Sequence, residues 1–303
     1  MSYNIDDENV IYNFSSKHKA VVEIEDKSEI EVSTDDCFRS QLQKEEDSLD
    51  ELDWERINPA TGPIYIKGAK PGDILAVDIK EIEVGGQAVM IAAPGEGVIG
   101  DRLKKSTTKI LPVENNQLKF NDDIYLPLEP MIGVIGTAPA EGSVPNGTPD
   151  YHGGNMDCKR IKAGSTLYLP VEVEGALLAM GDFHALMGDG EIVVCGAECR
   201  GRAKLKVEVI KDKELPLPLV EDSKRISTIA SAKTLDRAVK DATDNMVDFL
   251  RDYHNFELAE AGMFLSLVGD ARICQVVDPQ QTARFELEKK YLKNNKNLRE
   301  ALS

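Results

Sequence analysis

Short runs of alternating or β-branched apolar residues dominate the first two-thirds of the chain. Turn-forming residues interrupt these runs every ~8–12 residues, as in the Gly-Asp-Gly of residues 188–190. Many short strands with turns at this spacing are typical of a β-sandwich or a jelly roll. The runs that we predict to be strands are residues 20–24, 30–32, 74–82, 89–91, 109–112, 166–173, 177–180, 192–197 and 203–210.

The pattern changes after about residue 218. Apolar residues recur at helical spacing over residues 234–252, and Thr234 suits the first turn of such a helix. We predict four further elements, a strand at 225–232, a helix at 255–268, a strand at 272–277 and a helix at 282–290, before a charged tail at 289–303 that is a solvated helix or a frayed end. The chain therefore divides into a β-rich domain, residues 1–218, and a C-terminal α/β element, residues 219–303.

The chain is strongly acidic. Its 303 residues contain 36 Lys and Arg against 53 Asp and Glu, so the formal net charge is −17. This charge repels nucleic-acid phosphates and anionic lipid, and the basic patch that nucleic-acid binding needs is absent. No apolar run is long enough for a transmembrane helix. We therefore expect neither a nucleic-acid nor a membrane partner, whereas a small neutral substrate or a metal ion suits this charge.

The cysteines and the first ten residues predict a cytoplasmic protein. The five cysteines are odd in number and lack the spacing of a disulfide framework. The N-terminus carries Asp6, Asp7 and Glu8, with neither the basic nor the apolar region of a secretory signal. We expect a reducing compartment, in which the cysteines pack as small apolar residues.

A first cluster of reactive side chains lies in an aperiodic segment, residues 131–164. Its sequence His-Gly-Gly-Asn-Met-Asp places His152 and Asp157 on either side of paired glycines. Because glycine permits a positive φ, the chain can turn there and bring imidazole and carboxylate to one point, as a metal or a polarised water needs. An ordinary loop with a hydrogen-bonded histidine explains the same residues.

A second cluster follows a predicted strand. Asp182 and His184 are two residues apart, so on a strand they share a face. Asp189 lies between two glycines in a predicted turn, which would fold Glu191 back beside that strand. A simple turn explains Gly-Asp-Gly, but not the charged pair next to the apolar run 176–180, where unpaired charge is costly.

Three further acidic residues are candidates with ordinary alternatives. Asp36 precedes Cys37 and fits either a site or a solvated acidic turn. Glu198 lies between apolar residues of a strand and points either inward or outward. Glu141 opens the aperiodic segment and is either a functional or a surface glutamate.

Taken together, these motifs resemble the acetamidase/formamidase family in its short bacterial form. The resemblance covers residues 35–200 and keeps the family's order of motifs. The most specific parts are His-Gly-Gly-Asn-Met-Asp and Gly-Asp-Gly-Glu. The matching segments are residues 36–38, 58–63, 138–142, 152–157, 164–171 and 181–191, with Glu198.

The resemblance implies hydrolysis of a small carboxamide to carboxylate and ammonia. It also implies a mainly β fold, with a jelly-roll-like sandwich, a smaller β portion and the C-terminal α/β element. A homodimer or a higher homo-oligomer is implied as well. The cofactor associated with the family is a divalent metal, zinc as the first expectation and calcium as the second.

Amide hydrolysis assigns roles to these residues as hypotheses. Two histidines and a carboxylate, Asp36 or Asp157, would leave a zinc position open for water. Glu141 or Glu191 would be the general base, and Asn155 would donate to the oxyanion. The expected metal ligands are Asp36, His152, Asp157, Asp182, His184 and Glu198, and the expected catalytic residues are Glu141, Asn155, Asp189 and Glu191. Two alternatives stay open, a metal-dependent hydrolase of a ureido or guanidino C–N bond and a non-catalytic metal-binding β-sandwich.

Overall fold

The computed structural model describes residues 2–292 and 298–302. Most regular structure in them is β-strand, as most of the short runs predict. The strand predicted at 192–197 is wrong, because these residues form bends and irregular chain that lead into a short strand at 198–199. The strands are β1 (Ser2–Ile5), β2 (Val10–Ile11), β3 (Asn13–Phe14), β4 (Val22–Ile24), β5 (Glu29–Thr34), β6 (Ala60–Ile66), β7 (Ile74–Val84), β8 (Gln87–Ala92), β9 (Thr107–Glu114), β10 (Gln117–Lys119), β11 (Tyr125–Pro127), β12 (Met131–Gly136), β13 (Val144–Pro145), β14 (Gly153–Asn155), β15 (Thr166–Pro170), β16 (Leu178–His184), β17 (Glu198–Cys199), β18 (Gly201–Ile210), β19 (Leu219–Glu221), β20 (Arg225–Ala232), β21 (Gly269–Gln275) and β22 (Gln281–Glu288).

Helices are concentrated towards the C-terminus. The α-helices are α1 (Leu235–His254), α2 (Leu258–Val268) and α3 (Leu298–Leu302), and short 3-10 turns lie at Leu49–Glu51, Trp54–Arg56, Gly100–Arg102 and Lys289–Tyr291. Thr234 caps α1 by accepting the N–H of Arg237 at 3.3 Å, and Asn255 ends the helix in the left-handed region. Among the described residues, no helix is both long and apolar enough to span a bilayer.

Two large sheets form the body of the described residues. One sheet has the order β1-β5-β18-β7-β15-β19-β20-β22-β21. The other has the order β11-β10-β9-β8-β17-β16-β12-β14, and β6 pairs with β16 while carrying β2 and β4. Apolar side chains of both sheets meet in one core, for example Val77 and Leu205 from the first sheet with Ile132 and Met180 from the second. The molecule is therefore a β-sandwich, as the fold prediction states.

The C-terminal part joins the first sheet through the pairing of β15 with β19. Helices α1 and α2 cover β20, β21 and β22, where Phe249 and Leu265 pack with Phe285 in a second core. These elements confirm a C-terminal α/β element built onto the sandwich. The domain boundary at residue 218 stays a prediction.

Two predictions near the C-terminus need comment. The helix predicted at 282–290 is wrong, because most of these residues form β22. Arg284 is buried within this strand, where it forms ion pairs, and does not lie on an exposed helix face. In the tail, residues 293–297 and 303 lie outside the described residues. Leu298 and Leu302 of α3 are buried in the second core, so this part of the tail is not fully solvated.

Candidate active site

The centre of the candidate site is His184, at the end of β16. The neighbouring strand β17 places Glu198 directly opposite it. The Nε2 atom of His184 lies 3.0 Å from Glu198 Oε1, 3.6 Å from Asp182 Oδ1 and 3.6 Å from Asp157 Oδ1. All four side chains are buried. Three carboxylates therefore converge on one imidazole nitrogen.

The same centre contains two groupings with the donor types of a metal site. In the first, ligand atoms of Asp157, His184 and Glu191 lie within 4.8 Å of one another. In the second, the same limit holds for Cys37, Asp182 and Glu198. We call the six residues of both groupings the acidic cluster.

Backbone strain accompanies three of the carboxylates. Asp157, Asp182 and Glu191 have φ angles of 43°, 57° and 42°. A positive φ is uncommon for residues other than glycine and costs of order 1–3 kcal/mol each. Asp182 adopts it inside a strand, β16. Such strain concentrates at functional sites, where it aims a side chain at a chosen point.

Two glycines leave the space that the acidic cluster occupies. A Cβ at Gly133, on β12, would lie 2.5 Å from both Asp157 Oδ1 and Asp182 Oδ2. A Cβ at Gly196 would lie 2.6 Å from His184 Nδ1. These distances are too short for any side chain, so glycine is required at both positions.

The acidic cluster holds more negative charge than its own cation can balance. Burial, with the charges of neighbouring carboxylates, raises the pKa of Asp157 and Glu191 well above their usual range and the pKa of Glu198 to about 8. Burial opposes a charged imidazole, but Glu198 and Asp182 outweigh it and raise the pKa of His184 well above its usual range. The excess negative charge must therefore be neutralised, either by protons bound to the carboxylates or by a bound cation.

Several polar atoms of the acidic cluster have no hydrogen-bond partner among the described residues. They are Asp157 Oδ1, Glu191 Oε2, Glu198 Oε2 and both ring nitrogens of His184. The Nε2 atom is close to Glu198 Oε1 but not in hydrogen-bond geometry. Because an unpaired buried polar atom is costly, their convergence fits a bound cation. Imidazole, carboxylate and thiol are all zinc ligands, whereas calcium takes oxygen ligands, so this donor set fits zinc better.

A cavity of about 620 Å³ opens onto the acidic cluster. Asp157, Asp182, Glu191 and Glu198 line it, and Asn155 does so as well. A small molecule in the cavity can therefore reach the carboxylates. Asn155 uses one amide hydrogen, since its Nδ2 donates to Asp278 Oδ2 at 3.0 Å, and its second hydrogen has no partner among the described residues.

The structure does not bring every predicted site residue into the acidic cluster. His152 belongs to neither grouping; its ring packs against Phe14 with centroids 5.0 Å apart and is completely buried. The two imidazoles thus do not meet around one ion in this geometry. Glu141 lies exposed in its loop and does not line the cavity.

Two acidic residues are also held elsewhere. Asp189 accepts two hydrogen bonds from the buried Arg284, at 2.7 and 2.8 Å, and so serves an ion pair. Asp36 is buried but accepts the N–H groups of Phe38 and Ser40, and its pKa is raised by burial to about 6. Its side chain lies outside both groupings.

Two residues of the site were not among the predicted ones. Cys37 takes the place beside Asp182 and Glu198 that Asp36 was expected to fill. Asp278 lines the cavity, and burial together with Asp157 raises its pKa well above the usual range. Its sequence signal is an Asp-Pro pair directly after the predicted strand 272–277, which reads as an ordinary turn.

The comparison with protein families decides the relationship. The sequence profile of the Acetamidase/Formamidase family matches residues 4–146 and 143–283 of this chain. The chain belongs to this family. The resemblance of its motifs to the acetamidase/formamidase family is thereby confirmed.

Two curated relatives in this family carry matching names. A Schizosaccharomyces pombe protein named as a formamidase is 28% identical over 237 residues, which is 56% of this chain and 56% of the relative. The formamidase of Methylophilus methylotrophus is 27% identical over 219 residues, which is 54% of each chain. The chain thus matches just over half the length of these relatives.

Solved structures match over nearly the whole chain. An acetamidase from Bacillus halodurans has a TM-score of 0.94 at 47% identity, and the match covers 95% of this chain and 98% of the other. A recombinant predicted acetamidase/formamidase from Thermoanaerobacter tengcongensis has a TM-score of 0.95 at 45% identity, with 97% and 98% coverage. This chain therefore has the same fold as these two structures over nearly its whole length.

Proposed function

We propose that this protein hydrolyses the C–N bond of a small neutral carboxamide to a carboxylate and ammonia, with a divalent metal ion as cofactor. The observation that carries the proposal is the buried acidic cluster at the base of an open cavity, in which several polar atoms have no hydrogen-bond partner among the described residues. Its support from relatives is that proteins of this family are named as formamidases and acetamidases.

We assign the metal to the residues around His184 Nε2. Asp157, Asp182 and Glu198 lie 3.0 to 3.6 Å from this atom, and zinc is the proposed ion because of the imidazole. A zinc ion held there would polarise a water molecule and lower its pKa towards neutrality. Because residues 133 and 196 are glycines, no side chain occupies the space in which these groups converge.

Glu191 is the proposed general base. Its Oε2 has no partner among the described residues, and its raised pKa suits a group that takes up and releases protons. Glu191 takes a proton from the attacking water as the O–C bond forms. The C–N bond then breaks, the proton passes to the departing nitrogen, and the water oxygen remains in the carboxylate product.

Asn155 is the proposed partner of the substrate carbonyl. Its free amide hydrogen donates to the oxygen that becomes negative in the transition state, and such a donor typically contributes ~10²–10³ in rate. The nearby Gly153 N–H does not share this role, since it donates to Asp150 O at 3.0 Å. The bond between Asn155 and Asp278 fixes the amide in place.

A comparison of substrates tests this function. Zinc-loaded protein is incubated with formamide, acetamide, hexanamide, urea and guanidine, with and without a chelator, and ammonia is measured. Release from at least one amide, lost with the chelator, is the expected result. Release from urea or guanidine alone would indicate the other class of C–N hydrolase, and bound zinc without ammonia would indicate a non-catalytic protein.

The quaternary structure and the location complete the proposal. The five cysteines are free and buried, which suits a reducing cytoplasm. For the homodimer, Met263 and Leu267 of α2 are 69% and 83% exposed beside β21, an edge strand. Exposed apolar side chains of this kind favour association with a second copy. Light scattering should give twice the mass of one chain, and a monomer would contradict the dimer.

A further inference from the structure

The cavity over the acidic cluster is much larger than the smallest amides require. Its volume is about 620 Å³, which falls in the range of about 300–1,000 Å³ typical of sites for drug-sized ligands. One water molecule takes about 30 Å³ of liquid, and acetamide is only roughly three times larger. Acetamide at the carboxylates would therefore leave most of the cavity to solvent.

The remaining wall is apolar and uncharged in most places. Large apolar or aromatic side chains line it beyond the carboxylates, and no Lys or Arg is among the described lining residues, so nothing there would pair with an anionic substrate. Glu55 is the charged residue of this wall, and it repels an anion. Because charged groups need partners when they leave water, the large apolar side chains around it favour a neutral, apolar group. The apolar lining residues are Tyr12, Phe38, Leu49, Trp54, Ile57 and Val194.

One segment between β5 and β6 supplies most of this wall. It contributes Phe38, and it contains the two 3-10 turns that begin at Leu49 and Trp54. Phe38 and Leu49 are buried, whereas Trp54 is 54% exposed. The indole therefore lies at the mouth of the cavity and the carboxylates at its base.

The segment is held in place at both of its ends. The Asn58 N–H donates to Cys37 O at 2.7 Å, which ties the end of the segment to its beginning. The Asn146 amide donates to Asn58 O at 2.7 Å. Asp53 accepts the N–H of Glu55 at 3.2 Å and caps the turn that carries Trp54. A wall fixed in this way is preformed for a ligand, which lowers the entropy lost on binding.

We infer that Phe38, Leu49, Trp54 and Ile57 form an acyl-group subsite, and that the preferred substrates are primary amides with a neutral apolar acyl group considerably larger than acetyl. This inference rests on the proposed amide hydrolysis and adds the substrate class. The occupant is the acyl chain because the apolar wall is continuous with the carboxylates at which the amide group reacts. A bound acyl chain would also cover part of the exposed Trp54 indole, which gains from burial.

Rate constants for a homologous series of amides test the subsite. The zinc-loaded full chain is assayed with formamide, acetamide, butanamide, hexanamide and benzamide. Each buried methylene should raise kcat/KM about fourfold, so hexanamide should exceed acetamide on the order of 100-fold. A kcat/KM that is flat or falls from acetamide to hexanamide would overturn the subsite while leaving the amidase function intact. No ammonia from any amide would instead contradict the proposed function.

Variants at the mouth add a second readout. Trp54→Ala should lower the ratio of kcat/KM for hexanamide to that for acetamide about tenfold, and Trp54→Phe should retain most of it. Tyr125→Ala is the matched control, because Tyr125 is 43% exposed on β11 and does not line the cavity; its ratio should be unchanged. An unchanged ratio in Trp54→Ala would overturn the role of Trp54. A shift of this variant from dimer to monomer would overturn it as well, because it would indicate that a second copy of the chain covers the indole.

Discussion

Two groups of charged side chains, each built around a buried basic residue, differ in how their charge is balanced. Around Arg284, whose side chain is fully buried, the guanidinium donates to Asp189 and to Glu286 at 2.7 Å. Arg160 and Lys159 add further pairs with these two carboxylates. Although burial alone would raise them, these hydrogen bonds lower the pKa of Asp189 and Glu286. In this group the protein supplies its own cations.

The acidic cluster does the opposite. Its carboxylates surround a single imidazole, and several of their oxygens have no partner among the described residues. The pKa values of Asp157, Glu191 and Glu198 are raised, and only that of Asp182 is lowered, because burial is outweighed there by the neighbouring His184. The contrast shows that burial of acids is not in itself a sign of function. What marks the acidic cluster is buried acid without the positive charge that would balance it, which the proposed metal ion supplies.

The largest expected effect is on turnover, at Glu191. Glu191→Gln keeps the shape of the side chain but removes its ability to accept a proton, so kcat/KM should fall about 10²–10⁴-fold. Ammonia release and zinc content, measured on the same preparation, check this. Glu141→Gln is the matched control, since Glu141 is exposed and outside the cavity; it should keep full activity. Full activity in Glu191→Gln would remove Glu191 from the role of base.

The next effect is on stability, at Arg284. Arg284→Met removes a guanidinium from the buried Glu286 and from the partly exposed Asp189, and breaking a buried ion pair such as Arg284–Glu286 costs about 3–5 kcal/mol. Urea unfolding should show this loss in the free energy of unfolding. Arg202→Met removes an arginine whose partners Glu31 and Glu83 lie at the surface, and it should change the stability much less. Equal losses in both variants would contradict the structural role assigned to Arg284.

The smallest effect concerns His152, which is buried without joining the acidic cluster. Burial lowers its pKa to about 4, whereas the usual value is 6.5. Between these values the unfolded chain binds the proton and the folded one does not, so stability falls as the pH drops through this window. From pH 7 to pH 5, His152 should therefore cost about 2 kcal/mol.

His152→Gln removes this component but keeps a polar side chain. The difference in unfolding free energy between the wild type and the variant should change by about 2 kcal/mol from pH 7 to pH 5, to the disadvantage of the wild type. Denaturant unfolding at both pH values measures it. A difference independent of pH would mean that the folded protein protonates His152 as readily as the unfolded chain does.

The sequence predicts the local parts of the fold and of the site. Strand periodicity places Asp182 and His184 on one face, and the turn at 188–190 returns Glu191 to them, because both relations span a few residues. The helix α1 follows from its apolar spacing and from the cap at Thr234 in the same way. These predictions depend only on residues that are close to one another in the sequence.

The remaining parts depend on distant neighbours. Residues 282–290 look helical, but Arg284 and Glu286 are buried on β22 by partners far away in the sequence, Asp189 and Arg160. Whether Cys37 or its neighbour Asp36 joins the acidic cluster depends on the orientation of the turn that carries both residues. Asp278 reaches the cavity only because β21 extends the first sheet to its edge. Such placements are set by tertiary packing, which no local pattern encodes.

The central claim is that the acidic cluster needs a cation to carry out amide hydrolysis. It is tested most directly by measuring metal content and ammonia release on one preparation, before chelation, after chelation and after zinc is returned. The account predicts bound zinc at first, loss of metal and activity together, and recovery of both on reloading. Full amide turnover by protein shown to be free of metal would contradict it.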